Sequence, residues 1–379
     1  MQLPPLSLYI HVPWCVKKCP YCDFNSHEAT SEIPEKAYLE ALLKDFSLDV
    51  PYAQGRALTS IFIGGGTPSL MSSDFYQQLL SNIRAQIPFH NDIEITLEAN
   101  PGTTEAGRFE GYREAGINRL SLGIQSFDDQ QLNTLGRIHS AAQATRAVQL
   151  AREAGFDNFN IDLMFGLPGQ SASQAANDLK QAFALSPSHI SWYQLTIEQN
   201  TAFYSSPPTL PDDERLWDIQ KEGAALLSAN GYEQYEVSAY AKNGQQARHN
   251  VNYWQFGDYI GVGAGAHSKI SDSDSGRLLR YRKSRLPKDY LKPRPLYRVG
   301  EELILEEDLP FEYLMNILRL KCGQKQEHFT IRTGLPLSAL QPQLDECIDQ
   351  GLMEKNRLQL TDKGFLFLND VLAKFVSES

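Results

Sequence analysis

The chain has no uninterrupted run of 18 apolar residues and no basic residue before Lys17. Neither a membrane-spanning helix nor a secretory leader is therefore expected, and the cytoplasm is the default location, with peripheral contact at the inner membrane face left open. Positive charge is in deficit: 35 basic against 46 acidic residues leave a net charge of −11, which argues against nucleic acid as a partner. Cysteine is scarce and odd in number, five in 379 residues, so a fully paired disulfide framework is excluded. What is present is ordinary globular material. At 42% hydrophobic and 21% charged residues, the composition excludes a wholly disordered or collagenous chain, and the length suits two or three domains.

Short β-rich runs alternate with amphipathic segments from residue 7 to about 240. Strands are expected at Ser7 to Val12, Thr59 to Gly64, Asp92 to Glu98, Asn118 to Ile124, Asn158 to Met164 and His189 to Leu195. Helices are expected between them at Pro34 to Leu48, Ser73 to Ile87, Thr104 to Ala115, Ala141 to Ala154 and Ser171 to Leu185, with a closing helix at Asp212 to Asn230. This alternation implies right-handed crossovers and a parallel sheet. Six units fall short of the usual eight-stranded closure, so the expected α/β fold is a partly open (β/α)6 barrel with ligands at the strand C-termini. It should occupy residues 1–235. Residues 236–298, rich in Gly, Asn and aromatics, read as strands covering the barrel mouth. Residues 299–379 read as a C-terminal winged-helix-like α+β domain: a helix from about Gly300 to Lys321, a helix carrying Leu340, Leu344, Ile348 and Leu352, a hairpin from Lys355 to Thr361 and a last helix to about Val376. From Glu327 onward there are five basic and eight acidic residues, so DNA binding is not expected there.

The chemistry concentrates in Cys15-Val16-Lys17-Lys18-Cys19-Pro20-Tyr21-Cys22, directly after the first strand. A 4Fe-4S cubane needs four ligands; three closely spaced thiolates leave one iron open to another molecule. A zinc site completed by His11 or His27 is the alternative. Gly64-Gly65-Gly66-Thr67-Pro68 ends the second strand, where glycines let a backbone approach a small zwitterion or simply make a tight turn. Cys322 and Cys347, on apolar helix faces, read as packing residues.

C-x3-C-x2-C after the first strand with GGGTP after the second resembles the radical S-adenosylmethionine superfamily. Tyr9-Ile10-His11-Val12-Pro13-Trp14, Gly123-Ile124-Gln125-Ser126-Phe127, Arg137 and Asn160 to Gly169 extend the likeness to the branch of oxygen-independent coproporphyrinogen III dehydrogenases. The resemblance implies that Cys15, Cys19 and Cys22 hold a 4Fe-4S cluster and that Tyr9, Tyr21, Gly66, Thr67, Glu98, Gln125, Arg137 and Asp162 hold S-adenosylmethionine. Two departures point away from porphyrinogen decarboxylation: Asp23-Phe24 follows Cys22 where those enzymes continue to a fourth cysteine, and the first strand begins at about Ser7 without their long extension.

A further motif, His249-Asn250-Val251-Asn252-Tyr253-Trp254, supplies an imidazole suited to heme iron and two aromatics that can pack on a porphyrin; a hydrogen-bonded histidine beside core aromatics is the plainer alternative. With Phe24 and the short N-terminus, this motif resembles the heme-chaperone branch of the superfamily. That likeness implies heme as cargo, bound by His249, Tyr253 and Trp254, and recipient hemoproteins at the membrane surface as partners. It also implies a Gly261 to His267 segment that closes the mouth, with Ala266 and His267 on the S-adenosylmethionine side. Catalysis is then not expected, a radical dehydrogenase is the rival, and room remains for a heme donor protein and a homodimer. Finally, Arg277 to Arg298 holds nine basic residues and one acid, which predicts a strongly dipolar surface beside the heme site.

Overall fold

The computed structural model describes residues 2–102 and 108–376. Six strand-helix units run in order: β1 (Leu6–Val12), α1 (Glu35–Asp49), β2 (Leu58–Gly65), α2 (Ser73–Gln86), β3 (Phe89–Ala99), α3 (Phe109–Glu114), β4 (Arg119–Gln125), α4 (Ala141–Glu153), β5 (Phe159–Phe165), α5 (Ala172–Ala184), β6 (His189–Gln194) and α6 (Asp213–Ala229). The part of the expected third helix at 104–107 lies outside the described residues. Helix starts are written locally. Ser140 and Ser171 each form a reciprocal capping box with Gln143 and Gln174, and Ser72 and Asp212 accept from backbone N–H groups three residues on.

Alternation along the strands sorts two environments. In β1, Leu6, Leu8, Ile10 and Val12 join the main apolar core with Ile61, Ile63, Leu97, Leu120, Leu122, Ile161 and Leu163. The intervening positions carry polar groups that meet one another between neighbouring strands: Ser7 with Ser60 at 2.7 Å, Asn160 with Ser121 at 2.7 Å and His189 with Asn160 at 2.7 Å. A polar lumen at strand spacing is what leaves the barrel interior available to a ligand.

After α6 come β7 (Glu233–Glu236), β8 (Ala239–Ala241), α7 (Arg248–Trp254), β9 (Asp258–Val262), β10 (His267–Ser271), β11 (Leu278–Lys283) and β12 (Arg298–Leu303). The sheet order is β12-β11-β10-β9-β1-β2-β3-β4-β5-β6-β8-β7. Strands β9 and β1 to β6 run parallel, and the remaining pairings are antiparallel. The sheet ends on β12 and β7 without closing, as the six-unit count predicts. Of residues 236–298, expected as strands covering the mouth, those from 258 on extend the sheet sideways from β1, and the extension runs on to Leu303. The strand expected as the start of a helix at Gly300 is β12, whose Gly300 pairs with Arg282, so the sheet crosses the expected boundary at 298/299.

This extension is pinned by buried charge. Lys283 Nζ donates to Asp45 at 2.5 Å and to Asp49 at 2.6 Å, and Arg298 reaches Asp49 at 2.9 Å. The expected dipolar surface is accordingly reduced: besides Lys283 and Arg298, Arg280 pairs with Glu312 and Lys292 with Asp289. Arg277, Arg282, Arg285 and Lys288 are exposed and form no salt bridge among the described residues.

The C-terminal unit has its own core, built on α8 (Leu309–Ile317) with Leu340, Leu344, Cys347, Leu358 and Val371, and closed against Tyr235, Ala239 and Phe256 of the barrel side. Pro310, in the first turn, sets the start of α8, later than expected. The leucine-bearing segment is broken at Pro342 into a 3-10 turn and a helix at Gln343–Asp349. Arg357–Leu358 pairs with Gln324–Lys325, and the expected hairpin survives as a Met353 to Leu360 bridge. The last helix is divided into Asp362–Leu366 and Leu368–Ala373. Cys347 is buried as expected, whereas Cys322 is exposed in the turn after α8.

Candidate functional site

Past β1 the chain turns at Pro13, and Trp14–Cys15 pairs in parallel with His27–Glu28, so the segment between them is a closed loop. Inside it, Cys22 N–H donates to Cys19 O at 3.1 Å and Lys18 N–H to the Glu28 carboxylate at 2.8 Å. All three cysteines are unpaired and line the mouth of one cavity at the C-terminal end of the barrel strands. Arg137 Nη1 lies 3.6 Å from Cys19 Sγ, and Ser26 Oγ 3.6 Å from Cys22 Sγ. Burial, then the neighbouring Cys22, pushes the Cys15 thiol up to about 11, so a thiolate there needs a cationic centre beside it. Three soft donors on one short loop facing a cavity suit an iron–sulfur cluster. Among the described residues no group of three His, Cys, Asp or Glu side chains is placed to hold a metal ion, and His11 has both ring nitrogens engaged, by Tyr9 OH and Asn25 O at 2.9 Å each.

Behind the loop the cavity measures about 440 Å³ and is lined by Tyr21, Gly66, Thr67, Glu98, Asn100, Gln125, Arg137, Asp162 and Tyr193. The glycine run is there for close packing. Gly66 N–H donates to Val12 O at 2.7 Å, and a Cβ on Gly66 would fall 2.4 Å from Trp14 O, so no larger residue lets β2 meet the cysteine loop. Glu98 accepts from Gly65 N–H at 3.1 Å; burial and then the Asp162 charge raise its carboxyl to about 8. Asp162 is also raised, by burial first, although Ser121 at 3.0 Å and Asn160 at 2.7 Å hydrogen-bond it. Two carboxyls held toward the protonated form are poised for a cation or for hydroxyl groups.

Arg137 donates through Nη2 to Asn100 Oδ1 at 2.6 Å and Gly123 O at 2.7 Å, while its Nε is buried without a partner. An orphaned guanidinium N–H on a residue that lines a polar cavity fits a carboxylate from a ligand. Gln125 sits at φ 71°, a left-handed conformation unusual for a side-chain-bearing residue, and its Oε1 accepts from Tyr193 OH at 2.7 Å. Asn100 and Tyr193 were not among the residues expected. Asn100 bridges Thr67 Oγ1, at 3.0 Å, to Arg137; its position between the end of β3 and Pro101 is the signal that would have found it.

A second cavity of about 600 Å³ adjoins the first, sharing Phe24, Gly65 and Glu98 with it. Its lining is largely aromatic and basic: Tyr9, Phe62, Tyr253, Trp254, Tyr259, His267, Arg280 and Arg285. Tyr9 and His267, expected with the S-adenosylmethionine set, are placed here instead. Phe24 is 58% exposed at the boundary. His249 does not line either cavity: it is buried, with Nδ1 3.0 Å from Ser60 Oγ and Nε2 2.8 Å from Tyr253 OH. Burial, then Arg119, lowers its imidazole to about 3, so it stays neutral.

Residues 9–182 match the family model of the Radical SAM superfamily and residues 304–367 that of the HemN C-terminal domain. The chain is 53% identical over 380 residues to the heme chaperone HemW of Escherichia coli (strain K12), covering 100% of both chains. The chain belongs to the HemW family. Heme chaperone HemW of Haemophilus influenzae (strain ATCC 51907 / DSM 11121 / KW20 / Rd) is likewise 53% identical, over 100% of this chain and 99% of its own, and HemW of Bacillus subtilis (strain 168) is 34% identical over 98% and 99%. Among solved structures, coproporphyrinogen III oxidase (HemN) from Escherichia coli superposes with a TM-score of 0.82 over 98% of this chain and 90% of that chain; at 24% identity this shows a shared fold.

In this member of the HemW family, the fold thus brings Cys15, Cys19, Cys22, Tyr21, Gly66, Thr67, Glu98, Gln125, Arg137 and Asp162 to one cavity, and Tyr9, Tyr253, Trp254 and His267 to the next. No helix of the described residues is long and apolar enough to cross a membrane.

Proposed function

We propose that this protein is a heme chaperone that binds heme in the aromatic cavity and passes it to recipient hemoproteins, without turning over a porphyrinogen. The observation that carries the reading is the pair of adjoining cavities, one polar and thiol-rimmed, the other walled by aromatic rings and arginines, with the exposed Phe24 between them. Cys15, Cys19 and Cys22 hold a 4Fe-4S cluster, and Glu98, Gln125, Arg137 and Asp162 hold S-adenosylmethionine, the Arg137 Nε–H meeting its carboxylate. When bound, the cluster supplies an open iron site and a one-electron couple. Tyr253 and Trp254 of α7 pack on the porphyrin, and His249 acts on it through its hydrogen bond to Tyr253 OH. Recipients at the membrane surface, a donor protein and a homodimer belong to this proposal.

The test is anaerobic reconstitution of the full chain with iron and sulfide, followed by hemin titration and transfer to an apo-hemoprotein, with 5′-deoxyadenosine and protoporphyrinogen assayed in parallel. Stoichiometric heme binding and transfer, with coproporphyrinogen unconsumed, is the expected result. Several turnovers of coproporphyrinogen per protein would make it a dehydrogenase instead.

A further inference from the structure

The sheet extension places one imidazole where the heme reading needs one. Along β1, Ser7, Tyr9 and His11 take the lumen-facing positions; β9 continues that row with Gly261 beside Tyr9 and Tyr259 beside Ser7. Strand β10 then sets Lys269 beside Tyr259, which brings His267, two residues earlier, to the same face, and β11 sets Arg282 beside His267. At this level the row reads Tyr9, Gly261, His267, Arg282. Gly261 leaves it without a side chain between the tyrosine and the histidine, and a Cβ there would fall 2.0 Å from His267 O. His267 is exposed and lines the same cavity as Tyr253 and Trp254, and no hydrogen bond or salt bridge is formed by its side chain among the described residues.

The motif histidine is differently placed. His249 spends both ring nitrogens on Ser60 and Tyr253 and lies outside the cavity lining. A cavity of about 600 Å³ is within the ~300–1,000 Å³ range of small-molecule sites. Its walls have the rings of Tyr253, Tyr259 and Phe24, and its rim has Arg285, which like Arg282 is exposed and unpaired by any acid among the described residues. Neutral nitrogen, flat apolar walls and cations on one side match an iron porphyrin with two carboxylates.

We propose that His267 is the axial ligand to heme iron in this cavity, with Arg282 and Arg285 holding the propionates and His249 acting only as a positioning residue for Tyr253. The assignment rests on the heme-chaperone reading. The experiment is hemin titration of the full chain and of His267→Ala, His267→Gln, His249→Ala and Arg282→Gln/Arg285→Gln, read by the Soret band, ferric EPR and far-UV circular dichroism. The expected result is a shifted Soret maximum and changed spin state in both His267 variants, at least tenfold weaker retention, and restoration of the parental spectrum of His267→Ala by added imidazole. His249→Ala, which frees Tyr253 OH, should weaken retention while keeping the parental Soret maximum and spin state, and the arginine pair should likewise weaken retention without shifting the spectrum. A parental spectrum in both His267 variants, or loss of the ligand signature in His249→Ala alone, overturns the assignment while leaving heme binding intact. Absence of heme binding by the parent protein overturns the reading on which it rests.

Discussion

Glu98 is the residue whose environment makes the sharpest demand. It is enclosed beside Asp162 with a single backbone N–H as donor, and burial keeps its proton on to about pH 8. Because its pKa is raised in the folded state, the folded chain binds the extra proton between about pH 4.5 and 8. Stability therefore falls as pH rises through that window, by at most about 1.4 kcal/mol per pH unit for one proton. Glu98→Gln should flatten this decline in urea unfolding measured at pH 5 and pH 8; an unchanged slope would mean that the carboxyl is ionised at neutral pH. Cys19 makes a different demand, through the guanidinium at 3.6 Å from its sulfur. Anaerobically reconstituted parent protein should hold about four irons with broad thiolate-to-iron absorption, and Cys19→Ala should lose both, while stoichiometric zinc indifferent to the substitution would contradict the cluster assignment.

Between elements, the strongest coupling is that of α1 to β11. Lys283 is 1% exposed at the side chain and spans Asp45 and Asp49; Tyr290 OH donates to Asp45 at 2.7 Å from the segment that follows. Even with this lysine beside it, burial raises Asp45 to about 6. Lys283→Met should destabilise the protein by about 3–5 kcal/mol at pH 8, where buried Asp45 loses its cation and Asp49 keeps only Arg298. The same variant should lose less at pH 5, because a protonated Asp45 no longer needs the lysine. Chemical denaturation at the two pH values measures both. The consequence for the site is positional, since β11 and β10 form the far wall of the aromatic cavity.

For the molecule as a whole, the net charge of −11 coexists with four exposed cations at 277, 282, 285 and 288 that have no salt bridge among the described residues. Arg285 lines the aromatic cavity and Arg282 sits beside His267 in the sheet, while Arg277 lies at the turn before β11 and Lys288 in the short helix Pro287–Tyr290 after it. Such a patch steers an acidic partner over roughly a Debye length, about 10 Å at 0.1 M salt. Changing Arg277 and Lys288 to Gln, which leaves the proposed propionate contacts in place, should slow heme transfer several-fold at 20 mM salt (~20 mM, where screening is weak) and little at ~0.5 M. Stopped-flow transfer kinetics against ionic strength check this, and equal rates for parent and variant at low salt would leave the patch a solvated face.

The six strand-helix units, the open barrel and the cysteine loop were legible in the sequence because each is set by local rules: period-two alternation, serine caps, and three thiols within eight residues. Residues 258–303 were not legible to the same degree. Their strands carry Arg280, Lys283 and Arg298, whose partners lie as far away as Asp45, Asp49 and Glu312, so a count of charges along the chain overstated the surface field. The same limit applied at the site. Sequence grouped His267 with the S-adenosylmethionine residues and His249 with the heme, whereas sheet register brings His267 into the aromatic cavity and the hydrogen bonds of His249 turn it inward. Which elements form is decided by neighbours a few residues apart. Which cavity a side chain enters is decided by strand pairing across more than 200 residues, and that pairing exists only in the folded chain.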